Sequence, residues 1–409
     1  MSSFLSRRRF CELAGLSATT LVIDGRDIFA SPNLNHTVID ILGTDYRPGL
    51  AACRVEGKRV TWSAGLGWAD LENKVAMTPE SLLNIASVSK TITATAVMQL
   101  WEAGKLDLDR NVEDYLSLLV RNPKYPEIVV TCRQLLTHRS SIKDGPMYGQ
   151  SYTCGDPTIS LADWCQGFLQ PGGRFFSSEH NFHEWKPGTE DPPKSPGPYS
   201  NVGYGLLALI VERIAKTPFS RFTQERIFRP LGMGHTAWYI SEIDSSRHAI
   251  PYTRIGEDFE FPPEYPNPGS YLPRFEDPGK VAPGDLFPHC LYSFPNYPDG
   301  LVRSSVSDLS RFLLAMANGG SLDDSRILKE STINTMLSDA HFGRGLCWSS
   351  TTLKGESQPI WYHGGADPGV MTFLGFRPHD QVGVIVLANC GDPGPGFSET
   401  VRTLFQGQV

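Results

Sequence analysis

The pattern of apolar positions predicts a β-hairpin near each end of the chain. Residues 49–56 and 59–67 are joined by a Gly-Lys turn, and residues 370–377 and 382–389 form a second pair with a short polar connection. Apolar runs of this length, rich in β-branched and aromatic residues and separated by turn residues, are typical of paired strands. Strands at both ends of the chain indicate a sheet that both ends share, and therefore one cooperative folding unit.

Between the two hairpins the pattern has the period of helices. One helix follows Ser87 and stops at Gly104, and a second covers residues 160–169. A third, at residues 202–216, is apolar on almost all sides, which predicts that it is buried. Strands at the ends and helices in the middle favour an α/β lobe into which a helical lobe is inserted.

The predicted fold class is therefore α/β (α+β), with an antiparallel sheet flanked by helices. We assign residues 31–409 to one domain. Its α/β lobe takes in residues from about 35 to 105 and from about 300 to 409, and its mostly helical lobe lies at about 106–299.

The first thirty residues differ in composition from the rest. Three arginines at residues 7–9 precede an apolar run at residues 13–23, and small residues follow near Ala30. Paired arginines before a short apolar segment resemble a bacterial twin-arginine export signal. We predict that residues 1–30 are a cleaved signal and that the mature chain is exported, periplasmic or secreted. The alternative is a basic tail before a first helix.

Charge and hydropathy argue against several kinds of partner. The formal net charge is −7, and no block of Lys and Arg occurs in the body of the chain, so nucleic acid and acidic membranes are not expected partners. No run of 18 or more apolar residues occurs, so the mature chain is not expected to span a membrane. The sequence leaves the oligomeric state open.

The eight cysteines give no metal-binding pattern, because no Cys-x-x-Cys pair occurs among them. Export permits disulfides, and Cys154 with Cys165 is the first candidate pair. The interpretation that we favour for most of the cysteines is that they are small buried apolar residues.

The strongest chemical signal is the Ser-x-x-Lys sequence from Ser87 to Lys90, at the start of the first predicted helix. Residues three apart at a helix start lie on one face, about one turn from each other. An amine beside a hydroxyl can accept its proton and make the serine a nucleophile, and orphan N–H groups at the helix start can hold an oxyanion. A second copy at Ser140–Lys143 is followed by a turn, and we interpret it as a coincidence in a loop.

Two further segments have catalytic character. Tyr199 and Asn201 lie directly before the third predicted helix, where a tyrosine can relay a proton. His363, Gly365 and Ala366 lie before the second hairpin, where glycine permits a close backbone approach and the N–H of Ala366 can be a second oxyanion donor.

Both segments have a second copy elsewhere in the chain. Tyr265 and Asn267 repeat the Tyr-x-Asn spacing, but prolines flank them and no helix follows. His341 and Gly343 repeat the His-x-Gly spacing in a predicted loop. We interpret neither copy as catalytic.

The order Ser-x-x-Lys, Tyr-x-Asn, His-x-Gly resembles the serine β-lactamase and penicillin-binding-protein superfamily. The tyrosine is typical of the class C branch, which is shared with family VIII esterase-like, D-aminopeptidase-like and DD-carboxypeptidase-like enzymes. The resemblance extends over residues from about 35 to 405. Further matching segments are Gly67-Trp-Ala-Asp, Gln134-Leu-Leu-Thr-His, Tyr199-Ser-Asn-Val-Gly-Tyr-Gly and Arg229-Pro-Leu-Gly-Met.

The resemblance implies a role for each residue of these motifs. Ser87 is the nucleophile, Lys90 and Tyr199 share the work of general base and proton shuttle, and Asn201 orients Lys90 and the substrate. The N–H groups of Ser87 and Ala366 form the oxyanion hole. No cofactor and no metal are implied.

The chain departs from that family in three places. His363 stands where true class C β-lactamases have the lysine of Lys-Thr-Gly, and a mostly neutral histidine is a weaker partner for the carboxylate of a β-lactam. The segment Thr137–Ser141 lacks the glycine of the family's His-Thr-Ser-Gly. The Pro-rich stretches 171–198 and 251–299 exceed the usual connections, and we hypothesise that they roof the pocket.

The expected function is an exported serine hydrolase that forms an acyl-enzyme with a small ester or amide, and His363 favours a carboxylesterase. The alternatives are a D-amino-acid peptidase or DD-carboxypeptidase-like enzyme, a β-lactamase, and a non-catalytic binding module on the same fold. A metal enzyme is disfavoured, because His180, His183 and Glu184 lie in a Pro- and Gly-rich segment with no further ligand in view.

Overall fold

Seven strands form one antiparallel sheet in the computed structural model, which describes residues 48–190, 192, 198–255, 284–338, 344–391 and 394–407. In chain order the strands are β1 Gly49–Glu56, β2 Arg59–Asp70, β3 Val75–Ala76, β4 Ser349–Thr352, β5 Pro359–Asp367, β6 Val370–Arg377 and β7 Val382–Ala388. Their order across the sheet is β4-β5-β6-β7-β1-β2-β3. The predicted hairpins are β1–β2 and β6–β7, and the antiparallel pairing of β7 with β1 joins the two ends of the chain.

Helices flank this sheet and occupy much of the connection between its two halves. They are α1 Ser89–Glu102, α2 Cys132–Leu136, α3 Pro146–Gly149, α4 Leu161–Leu169, α5 Val202–Ala215, α6 Phe219–Thr223, α7 Val306–Ala317, α8 Glu330–Leu337 and α9 Gly394–Gln406. A π-helical turn at Gln224–Phe228 extends α6. The predicted helices correspond to α1, α4 and α5. The predicted fold class, an antiparallel sheet flanked by helices, is confirmed.

Strands β1 and β7 are buried on both faces. Because successive side chains of a strand point to opposite faces, Cys53 and Ile385 join a large apolar cluster on one side, and Ala52 and Val386 join a smaller cluster on the other. Helix α7 packs on the first face and α9 on the second. Full burial of an apolar side chain stabilises a fold by roughly 1.5–3 kcal/mol, so these strands make the sheet a rigid support for β5.

Short strand pairs connect the middle of the chain to itself and to the segments beside the sheet. They are Leu83–Asn84 with Arg303–Ser304, Thr153–Cys154 with Tyr292–Ser293, Tyr252–Arg254 with Leu286–Pro288, and Ser321–Leu322 with Ser325–Arg326. The first of these pairs lies directly before Ser87 and therefore holds the approach to α1 in place.

A disulfide joins Cys154 to Cys290, so the predicted pairing of Cys154 with Cys165 is wrong. The strand pair Thr153–Cys154 with Tyr292–Ser293 brings Cys290 to a Cα–Cα distance of 5.8 Å from Cys154. Cys165 lies in α4 with its side chain buried in the core. Pairing across 136 residues of sequence cannot be read from spacing. The remaining described cysteines, Cys53, Cys132, Cys165, Cys347 and Cys390, are buried, as expected for small apolar residues.

Several predicted features lie outside the described residues. They are the signal at residues 1–30, Tyr265 with Asn267, His341 with Gly343, and the middle of the stretch 251–299. In the described part of the stretch 171–198, the Asn181 carbonyl accepts from the Lys143 N–H, and the His183 N–H donates to the Ser141 carbonyl. This stretch therefore packs against the loop at 141–143. Within the described ranges, no helix is long and apolar enough to cross a membrane.

Candidate active site

Ser87 lies in a strained turn at the start of α1. A 3₁₀ turn covers Ala86–Val88, and the helix begins at Ser89. Ala86 has a φ of 46°, in the left-handed region that disfavours residues with a side chain. The Asn84 side chain accepts a hydrogen bond of 2.8 Å from the Ala86 N–H and so supports this turn. Strain of this kind is found mainly where function requires it, and here it presents Ser87 ahead of the helix.

Lys90 is fully buried one turn after Ser87. Its Nζ donates hydrogen bonds of 3.0 Å to Ser87 Oγ, 2.7 Å to Asn201 Oδ1 and 2.8 Å to the Asp299 carbonyl oxygen. An ammonium group has three N–H donors and no acceptor, so these three partners match the protonated form of Lys90. The predicted neighbours Ser87, Lys90 and Asn201 are thus brought together by direct hydrogen bonds.

Acidic groups around Lys90 hold its proton. Burial by itself lowers the pKa of Lys90, but Tyr199, Asp299 and Asp144 together raise it above its ordinary value. The Asp299 carboxylate lies 3.8 Å from Lys90 Nζ. Burial raises the pKa of Asp299 to about 7, although the Lys90 charge and the Asn296 hydrogen bond oppose that shift. The Tyr148 hydroxyl also donates to the Asp299 carboxylate, at 3.0 Å to each oxygen.

Tyr199 brings its hydroxyl to Lys90 and Ser87, and the residue as a whole is 38 % exposed. Lys90 Nζ lies 5.0 Å from the centroid of the Tyr199 ring. Burial raises the pKa of the Tyr199 hydroxyl, and its interactions with Lys90 and Ser87 oppose this without cancelling it. Tyr199 is therefore a phenol in contact with an ammonium ion and with the serine hydroxyl.

Asp144 holds the segment that carries Tyr199 and Asn201. Its carboxylate accepts from the Asn201 N–H at 2.9 and 3.0 Å, from the Val202 N–H at 2.9 Å and from Asn201 Nδ2 at 2.9 Å. A carboxylate at the start of a helix satisfies orphan N–H groups and is favoured by the helix dipole. Because Asn201 Nδ2 donates to Asp144, its Oδ1 faces Lys90.

Strand β5 passes close to Ser87, and Gly365 is the point of contact. A methyl group added at Gly365 would lie 2.9 Å from the Ser87 backbone nitrogen and 2.3 Å from Thr372 Oγ1, so no larger residue fits there. The Thr372 hydroxyl donates to the Ile85 carbonyl at 2.8 Å and ties β6 to the same turn. Ala366 follows on β5, opposite Met371 of β6.

His363 lies on β5 as a buried, neutral imidazole. Its Nδ1 is 2.7 Å from the Gly364 carbonyl oxygen, which fixes the N–H on Nδ1. Burial, with the nearby charges of Lys90 and Arg344, lowers the pKa of His363 to about 3. A cavity of about 70 Å³ opens beside it; the residues that line it include His138, Tyr199, Arg344, Cys347 and His363.

Sequence reasoning missed three groups of this site: His138, Asp144 and Asp299. Asp144 follows the second Ser-x-x-Lys copy and carries only a turn signal in the sequence. Asp299 is the last residue of the Pro-rich stretch 251–299, and His138 is the last residue of the matched segment Gln134-Leu-Leu-Thr-His. Their positions beside Tyr199 and Lys90 depend on tertiary packing, which periodicity does not report.

The rejected metal ligands have structural surroundings. His183 stacks on Trp185, with the ring centroids 4.9 Å apart, and the His180 N–H donates to Ser177 Oγ. Among the residues that the structure describes, no group of three His, Cys, Asp or Glu side chains could hold a metal ion.

Relatives of the chain are found by sequence. Residues 34–407 match the family described as Beta-lactamase. The human "Serine beta-lactamase-like protein LACTB, mitochondrial" is 33 % identical over 265 residues, which are 51 % of this chain and 46 % of that protein. The chain thus spans about half the length of that curated relative.

Solved structures show the same fold. A D-amino acid amidase from Ochrobactrum anthropi SV3, complexed with L-phenylalanine, has a TM-score of 0.70 at 23 % identity and covers 92 % of this chain and 98 % of its own. The match to a class C β-lactamase from Rhodobacter sphaeroides has a TM-score of 0.62 at 18 % identity and covers 92 % of this chain and 99 % of that one. At these identities the likeness concerns the fold alone. Because the family match takes in nearly the whole sequence, the chain belongs to the β-lactamase family.

Proposed function

We propose that this chain is a serine hydrolase that forms an acyl-enzyme with an ester or an amide, and that it prefers carboxylic esters. The observation that carries the proposal is the 3.0 Å hydrogen bond from Lys90 Nζ to Ser87 Oγ. A hydroxyl in contact with a buried amine at the start of a helix has both a proton acceptor and nearby oxyanion donors. Membership of the β-lactamase family supports the same role for Ser87.

Lys90 and Tyr199 act as one proton-accepting pair. In the resting enzyme Lys90 is an ammonium ion and Tyr199 a phenol, so the pair must lose one proton before it can accept another. Since the pKa of each group is raised, the competent form accumulates as the pH becomes alkaline. Ser87 Oγ then attacks the carbonyl carbon while its proton passes to the pair. Asn201 keeps Lys90 in place during this step.

The backbone N–H groups of Ser87 and Ala366 stabilise the oxyanion that forms. The close approach of β5 to the Ser87 backbone nitrogen at Gly365 supports this pair of donors. The pair returns the proton to the leaving oxygen or nitrogen, and the acyl-enzyme remains on Ser87. A water molecule then gives a proton to the pair and attacks the acyl carbon; the bond from that carbon to Ser87 Oγ breaks, the pair returns the proton to Oγ, and the acid is released.

His363 favours esters over β-lactams. Its neutral imidazole supplies no charge for the carboxylate of a β-lactam, which Arg344 of the same cavity would have to hold instead. The cavity beside Tyr199 gives the acyl or the alcohol group of an ester a place to bind.

One observation favours a second candidate, a peptidase for short peptides with a free carboxylate. Arg344 lines the same cavity as Tyr199 and His363, and a guanidinium binds a carboxylate through two parallel hydrogen bonds. A peptide bound in this way would present an amide bond to Ser87. The part that carries the free carboxylate would leave as an amine, and the acyl part would stay on Ser87. The D-amino acid amidase with the same fold supports an amide substrate.

The test compares p-nitrophenyl acetate, p-nitrophenyl butyrate, nitrocefin and dipeptides that end in a D-residue, with wild type and Ser87→Ala. Ester turnover that is lost in the variant, with slow nitrocefin turnover, supports the esterase. Faster Ser87-dependent turnover of the dipeptides, with loss of that turnover in Arg344→Gln, favours the peptidase. Absence of any Ser87-dependent turnover favours a binding module on the same fold.

We also propose that the chain is exported through a signal at residues 1–30, which the arginines at residues 7–9 support. A fusion of these residues to a folded reporter tests it. Export that is lost when residues 7 and 8 become lysines fits a twin-arginine signal, and a reporter that stays in the cytoplasm contradicts it.

We propose in addition that the domain divides into an α/β lobe and an inserted helical lobe at about 106–299.

A further inference from the structure

His138 occupies a backbone position that normally belongs to glycine. The N–H of His138 donates to the Leu135 carbonyl and the N–H of Arg139 to the Gln134 carbonyl, which is the Schellman pattern at the end of α2. The left-handed residue of this pattern is His138, with a φ of 58°. Glycine is preferred there because it has no Cβ. A histidine at this position is therefore expected only where contacts of its side chain offset the cost of the left-handed backbone.

The side chain makes two contacts with the segment that carries Tyr199. Its ring stacks on the Tyr199 ring, with centroids 4.1 Å apart and an angle of 29° between the planes. Its Nδ1 accepts a hydrogen bond of 3.1 Å from the Ser200 N–H. One imidazole thus holds both the ring of Tyr199 and the backbone next to it.

The charge state of His138 fits these contacts. Burial, followed by the charge of Lys90, lowers the pKa of His138 well below its usual range, so the ring is neutral. Only a neutral imidazole has an Nδ1 that can accept the Ser200 N–H. The ring of Tyr204 in α5 also packs near His138, with centroids 5.2 Å apart.

We propose that His138 is a positioning residue that fixes the orientation of the Tyr199 phenol against Ser87 and Lys90. The stack sets the plane of the phenol, and the bond to Ser200 sets the backbone from which the phenol extends. This inference rests on the proposed role of Tyr199 in proton transfer. A small displacement of such a group lowers the rate of the chemical step, because proton transfer requires hydrogen-bond contact.

The variant His138→Gly separates positioning from stability. Glycine suits the left-handed backbone better than histidine, which offsets part of the stability lost with the buried imidazole, so the melting temperature should fall by no more than a few degrees and the fold should be kept. We expect kcat for p-nitrophenyl butyrate to fall by roughly 10- to 100-fold with KM within about twofold. Lys216→Gly is the matched control, because Lys216 is also left-handed, with a φ of 54° at the end of α5. Its kcat should be unchanged. A His138→Gly enzyme of normal kcat overturns the inference.

Two further variants test whether His138 acts through Tyr199. In a Tyr199→Phe background, His138→Gly should lower kcat by less than about twofold, since the group that it positions is gone. If His138→Gly lowers kcat in the Tyr199→Phe background by the same factor as in wild type, the two residues act independently and the inference is overturned. His138→Asn tolerates a left-handed backbone and can accept the Ser200 N–H, so it should recover part of the kcat.

Labelling of Ser87 with a fluorophosphonate distinguishes failure of this inference from failure of the proposed function. Slower labelling in His138→Gly than in wild type supports positioning, and equal labelling rates contradict it. No labelling of Ser87 in the wild-type protein overturns the proposed function and this inference with it.

Discussion

The chain contains two Ser-x-x-Lys sequences, and they fold into different surroundings. In the first, Ser87 lies in the 3₁₀ turn directly before α1, and Lys90 is fully buried with three hydrogen-bond acceptors. In the second, Ser140 lies in a loop and its Oγ accepts from the Ile142 N–H at 3.3 Å. Lys143 is partly exposed, and its backbone N–H donates to the Asn181 carbonyl at 2.8 Å.

The difference lies in what surrounds each lysine. Lys90 faces Ser87, Asn201 and Asp299, which come from three separate parts of the chain. Lys143 belongs to a loop whose contribution to the site is the next residue, Asp144, whose carboxylate holds Asn201. A motif of four residues therefore identifies chemistry only when the fold supplies acceptors and charges around it.

Replacing the two serines should give the largest contrast. We expect Ser87→Ala to lower kcat by on the order of 10⁶-fold, as loss of a nucleophile does, with the fold intact. Ser140→Ala should leave kcat within about twofold and cost about 1 kcal/mol of stability through the lost bond to Ile142. Turnover of p-nitrophenyl butyrate and thermal unfolding measure both. Comparable activity of the two variants would show that Ser87 is not the nucleophile.

Replacing the two lysines should give the next largest contrast. Lys90→Met removes the amine that shares the proton of Ser87, and we expect kcat to fall by about 10³- to 10⁴-fold. Lys143→Met should leave kcat within about twofold, because no contact of its side chain reaches Ser87 among the described residues. Single-turnover kinetics would show slow acylation in Lys90→Met. Normal acylation would leave Tyr199 as the sole base.

The charge of Asp299 should set the pH range of activity. The competent pair is the one that has lost a proton, and Asp299 raises the pKa of Lys90, so activity should rise with pH through the alkaline range. In Asp299→Asn the negative charge is lost, the pKa of Lys90 falls, and the rise should move to lower pH. We expect the ratio of kcat/KM at pH 7 to that at pH 9.5 to increase roughly tenfold. An unchanged profile would mean that Lys90 does not titrate in the productive step.

Much of the fold could be predicted from the sequence, because its elements are strongly patterned. The bounds of β1 and β6 agree with the predicted ones, since each is an apolar run between turn residues. Strand β5 was not predicted, because its two glycines and its histidine lack a β pattern. This segment is a strand because its residues 361–367 pair with β6.

The candidate site was predictable where its residues are local in sequence. Ser87 and Lys90 are one helical turn apart, and Tyr199 and Asn201 precede an apolar helix, so spacing carried the signal. His138, Asp144 and Asp299 join the site through hydrogen bonds to residues that lie 57 or more positions away in the sequence. The bond from the Asn201 N–H to Asp144 is an example. The disulfide from Cys154 to Cys290 was missed for the same reason.

The smallest expected effect concerns the carboxylate that the second copy contributes. Asp144 accepts from two backbone N–H groups and from Asn201 Nδ2, and Asp144→Asn keeps only one side-chain oxygen for them. We expect a loss of about 1–3 kcal/mol in the free energy of unfolding and a fall in kcat of roughly threefold to tenfold, because Asn201 orients Lys90. Urea unfolding and ester turnover measure the two effects.

Asp156→Asn is the matched control for this change. The Asp156 carboxylate also accepts from two backbone N–H groups, those of Ile240 and Ser241, at 2.7 and 2.9 Å. In the part of the chain that the structure describes, none of its contacts reaches Lys90. It should lose similar stability and keep its kcat. If both variants lose stability and neither loses activity, the loop at 140–144 stabilises the fold and contributes nothing to catalysis. Only the first Ser-x-x-Lys copy would then serve the active site. If only Asp144→Asn loses activity, the second copy serves the first through the aspartate beside it.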